Sequence, residues 1–396
     1  MTALMPNYAP APVRFVSGKG ARLTDAEGRE YLDFLCGIAV TSLGHAHPAV
    51  TAALREQATT LLHVSNLFAN GINEEVAERL DALIGDGRPL GGKVFFCNSG
   101  AEANECALKL ARRYSGPGRH GVVCAYGSFH GRTLAALAAT GQPGKHEPFA
   151  PMPEGFRHVA FGDLEALSIA ADPRHVGAVL LEVIEGEGGV IPMPPGFLTA
   201  VRRLCDERGI LLMLDEVQSG LGRTGRWFAC HHENVTPDVL TIAKSLANGV
   251  PAGACWARAE VAAAFQPGDH GSTFGGQPLA MAAARATLDT LVAIDAPECA
   301  RSLSEQLSRA VGELPGVEYV RGMGALLGAV LHEGLDAAAI VRDCLEHGLV
   351  LNTTVPGVIR ILPPYIASDE DCEEAVAILD AALRRELIAK GMDVPV

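Results

Sequence analysis

The stretch Asp238-Val-Leu-Thr-Ile-Ala-Lys-Ser-Leu-Ala-Asn-Gly249 decides how the rest of the chain is read. An apolar run, Val239 to Ala243, ends in Lys244. Small or turn-forming residues follow: Ser245, Ala247, Asn248 and Gly249. Burying an ammonium without a partner is costly, so a lysine ending a core strand needs a reason. A second apolar run, Ile210-Leu-Leu-Met-Leu214, ends the same way in Asp215-Glu216-Val217-Gln218. Two adjacent core strands with functional groups at their C-terminal ends make a site at the edge of an α/β sheet. An aldehyde cofactor captured by Lys244, with its ring nitrogen held by Asp215, fits that pair. This is pyridoxal phosphate (PLP) chemistry.

Most strand-end lysines are merely solvated, so the other lysines matter. They are Lys19, Lys93, Lys109, Lys145 and Lys390. Lys109 falls on an expected helix face, three lie among glycines and prolines, and Lys390 is near the C-terminus. Only Lys244 follows a core strand.

With 396 residues the chain can bury a large core and is expected to make two domains. Hydrophobic residues make up 48% and aromatics 5%, so the core is mostly Ala, Val and Leu. A net charge of −14 argues against nucleic acid or an anionic membrane as the main partner. The ten cysteines contain no CxxC pair, and several sit in apolar runs, as in Phe95-Phe96-Cys97. Free core thiols in a reducing cytoplasm are expected. The N-terminus lacks a basic region followed by an apolar one, and no apolar stretch has membrane-spanning length, so neither a signal peptide nor a membrane span is expected.

Residues 1–50 read as an irregular arm and a small antiparallel sheet, with a hairpin signal between Gly20–Gly28 and Arg29–Phe34. His45 and His47 have no third ligand nearby, so a turn into a helix over Pro48–Leu61 is expected rather than a metal. From about residue 70, helices alternate with apolar strands. Helix 73–84 precedes a Gly-rich loop, and helix 101–114 follows strand Lys93–Cys97. Further strands are expected at 121–126, 157–161, 177–183, 210–215, 239–243 and 252–257, with helix 196–208 linking two of them and Gly209 as its C-cap. This is the rhythm of a mostly parallel, seven-stranded sheet with crossover helices. The domains expected are an arm with part of the small domain over 1–70, a large cofactor-binding domain over 71–281, and a smaller α/β domain over 282–396. One strand is expected across Gly322–His332.

Other strand ends carry further candidates. Asn98-Ser-Gly-Ala-Glu opens a helix, where free N–H groups and the helix dipole favour phosphate. In Gly127-Ser-Phe-His-Gly-Arg-Thr133, Phe129 could stack on a flat ring and Arg132 could fork onto a carboxylate. Glu182-Val-Ile-Glu-Gly-Glu-Gly-Gly189 reads as a loop whose Glu187 pairs with an arginine in a pocket. Gly220-Leu-Gly-Arg-Thr-Gly225 matches a dinucleotide fingerprint, but Arg226-Trp-Phe-Ala-Cys-His-His opens no apolar helix, so that reading fails. His231 and His232 are expected to pack rather than bind a metal. His270-Gly-Ser-Thr-Phe-Gly-Gly276 offers Ser272 and Thr273 to finish a phosphate cup, in this chain or a partner. Arg360 lies between apolar residues in Val358-Ile-Arg-Ile-Leu-Pro-Pro364 and needs a buried partner, either Glu187 or a substrate carboxylate.

Together these motifs resemble the class III (ornithine-type) PLP-dependent aminotransferases. They occur in the family's order, from Asn98-Ser-Gly-Ala-Glu-Ala-Asn to Ile359-Arg, and cover nearly the whole chain. The resemblance implies PLP fold type I, a homodimer with shared active sites, and a role for each matching residue. Lys244 would carry the cofactor and shuttle the proton, Asp215 would pair with the ring nitrogen, and Gln218 would reach the ring hydroxyl. Val217 and Phe129 would sandwich the ring. Ser99, Gly100 and Ala101 would cradle the phosphate, with Thr273 arriving from the other subunit and Ser272 beside the substrate. Arg132 would hold the donor's carboxylate. Arg360 would bind the α-carboxylate of 2-oxoglutarate or glutamate, and Glu187 would screen Arg360 when the other substrate is bound. An ion pair at about 4 Å and an effective dielectric of ~20 is worth roughly 4 kcal/mol, enough for Asp215 to keep a pyridinium protonated at neutral pH.

Within the family, Gly37-Ile-Ala-Val-Thr-Ser-Leu-Gly-His, His63-Val-Ser-Asn-Leu-Phe and Gly188-Gly-Val-Ile-Pro are most similar to acetylornithine aminotransferases. Ornithine enzymes carry a Tyr where this chain has Ile38. Two departures stand out: Glu182-Val-Ile-Glu185 for the usual Glu-Pro-Ile-Gln, and Ser245, Ala247 and Asn248 for glycines after the lysine. The implied reaction moves the δ-amino group of N2-acetyl-L-ornithine to 2-oxoglutarate in arginine biosynthesis. The alternatives are succinylornithine, ornithine or 4-aminobutyrate as donor, an aminomutase (which Arg360 argues against), and a non-catalytic PLP-binding protein.

Overall fold

The computed structural model describes residues 3–394, and its largest sheet has seven strands. Across the sheet they are Lys93–Cys97, Gly253–Ala257, Val239–Ile242, Leu211–Asp215, Val176–Glu182, Gly121–Ala125 and Phe156–Val159. Gly253–Ala257 is antiparallel to both neighbours, and every other pairing is parallel. The central strands are apolar throughout because helices cover both faces. Alternate residues feed two cores. Val123, Val179, Leu181, Leu212, Leu214 and Leu240 join one. Val122, Cys124, Leu180, Leu211, Met213 and Val239 join the other, beneath helix Gly100–Ser115. Each such side chain taken out of water contributes about 1.5–3 kcal/mol.

That helix starts where the sequence puts it. Ser99 is its N-cap and accepts from the Glu102 N–H at 3.2 Å. Helix Phe197–Arg208 ends at Gly209 in the left-handed region, which suits a residue without a Cβ. The helix expected over 48–61 ends earlier, as Pro48–Ala58. There the carbonyls of Glu56 and Gln57 accept from the N–H groups of Thr59, Thr60 and Leu61, and the last turn unwinds.

The strand expected across Gly322–His332 is corrected. Val317–Met323 and Leu326–Leu331 form an antiparallel hairpin, with Met323 paired to Leu326. Gly324, at φ +56, makes the tight turn that a continuous strand would exclude. Val358–Ile361 and Asn352–Thr353 complete this four-stranded sheet. The expected hairpin near the N-terminus is Arg22–Asp25 against Glu30–Asp33, and Leu349–Val350 joins it in parallel. Residues 15–33 therefore pack with the C-terminal part of the chain. None of the ten cysteines is in a disulfide. Among the described residues no helix is long and apolar enough to cross a membrane.

The parallel strands bring their C-terminal ends to one edge. Asp215 lies in register with Glu182 on one side and Thr241 on the other.

Candidate active site

A cavity of about 440 Å³ opens at that edge. Ser99, Gly100, Ala101, Phe129, Arg132, Glu187, Asp215, Val217, Gln218 and Lys244 all line it. These are the expected residues except Arg360, Ser272 and Thr273.

Lys244 sits just past Val239–Ile242 with φ +41, a strained angle for a residue with a Cβ. Its ammonium makes no hydrogen bond among the described residues. Burial, and next the Arg360 charge, push its pKa down to about 8, against the opposing pull of Glu187, Glu182 and Asp215. A substantial part of the amine is thus neutral near pH 8.

Asp215 is buried and fixed from three sides. Oδ2 accepts from His130 Nδ1 at 2.8 Å and Asn104 Nδ2 at 2.7 Å, and Oδ1 accepts from the Val217 N–H at 3.0 Å. Thr241 donates to Asn104 Oδ1 at 2.8 Å, which orients the amide. Neighbouring Glu182 accepts from the Phe129 N–H at 2.8 Å. Burial, and then Asp215, hold the Glu182 carboxyl well above the usual range.

Gly100 must be glycine. A Cβ there would meet Val217 Cγ1 at 2.8 Å, so the helix N-terminus and the Val217 side chain approach as closely as they do only without it. Ser99 uses its oxygen as a cap acceptor, and its O–H remains available to an anion. The Arg132 guanidinium carbon is 5.5 Å from the Phe129 ring centre.

Arg360 is fully buried and pairs with Glu187 at 2.6 Å. Its Nε donates to Asn352 Oδ1 at 3.1 Å, and Nη1 is also 3.3 Å from Gln218 Oε1. Nη2 is buried without a hydrogen-bond partner among the described residues, so half of the guanidinium fork is spare. Burial pushes the Glu187 carboxyl up, but the Arg360 charge and hydrogen bond outweigh it and hold the carboxyl below its ordinary value.

Ser272 and Thr273 do not reach the cavity of their own chain. They line a neighbouring groove with Asn98, where Asn98 Nδ2 is 3.3 Å from Ser272 Oγ. His45 pairs with Asp33 at 2.7 Å, His231 bonds the Ile84 carbonyl at 2.9 Å, and His232 bonds the Thr224 carbonyl at 3.0 Å. Arg223, in the dinucleotide-like loop, is buried and donates to Pro363 O at 2.6 Å.

Sequence reasoning missed His130, Asn104 and Glu182 as site residues. Asn104 carried a signal, because it shares one helix face with Ala107, Leu108 and Ala111, and a polar residue on an apolar face needs a partner. The sequence also gave no sign of the turn behind Val40. Cys36, Gly37, Ile38 and Ala39 have φ of 52°, 59°, 67° and 58° respectively. Three of them carry a Cβ, and left-handed backbone costs such a residue roughly 1–2 kcal/mol.

The class-III aminotransferase family model matches residues 4–383. The chain belongs to the class-III aminotransferases. It is 48% identical to an acetylornithine aminotransferase of Corynebacterium efficiens, over 96% of this chain and 94% of that protein. The crystal structure of N-acetylornithine aminotransferase from Stenotrophomonas maltophilia superposes with a TM-score of 0.81 at 37% identity, covering 96% of this chain and 98% of that one. An ornithine aminotransferase from Toxoplasma gondii, described with PLP at its active site, gives 0.91 at 35% identity, covering 98% and 94%. The fold is that of the class-III aminotransferases, PLP fold type I, and the chain is a PLP-dependent transaminase. The cavity fits the cofactor: an unpartnered lysine of lowered pKa and a fixed carboxylate lie at adjacent strand ends, and a helix N-terminus lines the same cavity.

Proposed function

We propose that this aminotransferase moves the δ-amino group of N2-acetyl-L-ornithine to 2-oxoglutarate. The products are N-acetyl-L-glutamate 5-semialdehyde and L-glutamate, a step of arginine biosynthesis. The observation that carries the reading is Lys244, drawn down to about 8, lining one cavity with Asp215 and Glu187. The 48% identity to an acetylornithine aminotransferase supports the choice of donor.

Bound PLP supplies an aldehyde for the amine and a ring that accepts an electron pair. The chain supplies the rest. Lys244 Nζ, neutral in part near pH 8, takes the proton from the carbon bearing the amino group and returns it across the cavity. Asp215, held by His130, Asn104 and the Val217 N–H, keeps a proton on the ring nitrogen. Gln218 would reach the ring hydroxyl, and Val217 and Phe129 would sandwich the ring. Ser99 and the N–H groups of Gly100 and Ala101 take the phosphate.

Arg360 takes the α-carboxylate of 2-oxoglutarate or glutamate once Glu187 moves aside, and Glu187 covers the guanidinium while the donor is bound. Arg132 takes the donor's carboxylate. Ser272 and Thr273 serve the cavity of a second copy, a reading supported by their place outside their own cavity and by exposed Leu67, Phe68 and Phe274 on the chain surface. The test is δ-15N-labelled acetylornithine with unlabelled 2-oxoglutarate. The label is expected in glutamate; label confined to the donor sinks the reading.

A further inference from the structure

We propose that Ser245 and Asn248, in the loop after Lys244, are positioning residues for donor selectivity: Ser245 holds the left-handed turn Cys36–Ala39 and Asn248 holds Leu43 and Gly44, so that together they fix the Val40 wall of the cavity between them. The inference rests on the reading that the cavity takes an acylated ω-amine.

Val40 and Gly249–Ala252 line the same cavity as Lys244. Val40 follows directly on the four left-handed residues. Within the turn, the Val40 N–H donates to the Cys36 carbonyl at 2.8 Å, but a strained turn with three Cβ atoms needs support from outside.

That support comes from the loop after the lysine, and the hydrogens in it can be counted. Ser245 Oγ is 3.0 Å from the Ala39 carbonyl, which only accepts, so the single hydroxyl hydrogen of Ser245 goes there. Ser42 Oγ lies 2.6 Å from Ser245 Oγ and must therefore donate to it. Arg223 Nη2, which only donates, supplies Ser42 Oγ at 2.6 Å. The chain thus runs one way, from Arg223 through Ser42 and Ser245 to the carbonyl of the turn. Arg223 and Ser42 are fully buried and Ser245 nearly so. Asn248 adds a second clasp: Oδ1 accepts from the Leu43 N–H at 2.9 Å, and Nδ2 donates to the Gly44 carbonyl at 3.0 Å. Asn248 itself is left-handed, at φ +45, so glycine could take its backbone but not its amide.

Glycine at 245 would leave the turn without its outside bond, and glycine at 248 would release Leu43 and Gly44. With Ser245 and Asn248 in place, Val40 is held from both sides along the chain. Arg360 and Glu187, which on this reading receive the keto acid's α-carboxylate, make no bond to Ser245 or Asn248, so loosening the clamp leaves their pairing in place.

The test uses the PLP-loaded enzyme with Ser245→Ala and Asn248→Gly made singly. Three quantities are read: the half-reaction with acetylornithine, the half-reaction with glutamate, and the dissociation constant of N-acetylnorvaline, which is the donor without its reacting amine. Each variant is expected to lose about tenfold in kcat/KM for acetylornithine, through KM, and about tenfold in N-acetylnorvaline affinity, the scale of a lost buried hydrogen bond. The glutamate half-reaction stays as in the parent. Equal losses in both half-reactions, or no loss in either, overturn the proposal. If the parent enzyme leaves acetylornithine untouched, the donor reading fails, and the clamp is then judged by the same ratio with whichever ω-amine reacts.

Discussion

Replacing Glu187 by Gln leaves Arg360 with neutral partners only. The guanidinium is fully buried and the Glu187 side chain is 29% exposed, at 2.6 Å. An ion pair at about 4 Å is worth roughly 4 kcal/mol at an effective dielectric of ~20. Solvent reaching Glu187 screens part of this, and about 2 kcal/mol is a fair net figure. Asn352, Gln218 and the Gly186 carbonyl stay in place. An incoming α-carboxylate must displace Glu187 in the parent enzyme but not in Glu187→Gln. The variant should therefore bind 2-oxoglutarate more tightly by roughly 30-fold. The donor half-reaction should slow, because nothing covers Arg360 while the donor is bound. The assay titrates the amine-loaded enzyme with 2-oxoglutarate and follows the cofactor spectrum, with the donor half-reaction measured alongside. An unchanged or weaker affinity for 2-oxoglutarate would show that Glu187 does not cover the keto-acid site.

Three further outcomes follow from the same geometry. Because Lys244 is drawn down from 10.5 to about 8, its neutral fraction at pH 7.5 exceeds that of a free lysine by roughly 200-fold, so the rate of PLP capture by the apo-protein should rise with a midpoint near pH 8 and vanish in Lys244→Ala; a rate still climbing at pH 10 contradicts this. Burial raises Glu185 from 4.5 to about 8, and one of its oxygens is buried without a hydrogen-bond partner, so the neutral-acid form favours folding below pH 4.5 and the advantage is lost as pH rises through 8; Glu185→Gln should melt higher than the parent by a margin that widens over that window, and a constant margin counts against it. Asp81 accepts from the N–H groups of Leu90, Gly91 and Gly92 and from Trp256 Nε1 at 2.8–2.9 Å, so Asp81→Ala should lose about 3 kcal/mol in denaturant unfolding, whereas a loss near zero would mean water replaces the carboxylate.

The sheet was legible because parallel core strands must be apolar on both faces and must stop at turns. Lys244, Asp215 and Phe129 stood out because polar or aromatic groups follow such runs, where a parallel sheet collects its ligands. That Arg360 needs a buried partner was legible, since an arginine between Ile359 and Ile361 cannot stay unpaired, but charge left both Glu187 and a substrate carboxylate open. His130 and Asn104 were not, because their meeting on Asp215 is made by topology across 85 and 111 positions of sequence. The turn at Cys36–Ala39 was hidden for another reason. Cys, Ile and Ala carry no preference for positive φ, so only the tertiary bond from Ser245 to the Ala39 carbonyl reveals what holds it. The hairpin at Gly324 was missed because an apolar run crosses it with glycines alone as punctuation.

The most direct test of the central claim is a single-turnover spectrum of the PLP-loaded enzyme with amine and no keto acid. The visible band of the lysine-bound cofactor should convert to the amine form with acetylornithine far faster than with ornithine or 4-aminobutyrate, and 2-oxoglutarate should restore it. Conversion led by another amine would contradict the assignment of the donor. A protein that forms no such band when given PLP would contradict the role of Lys244 itself.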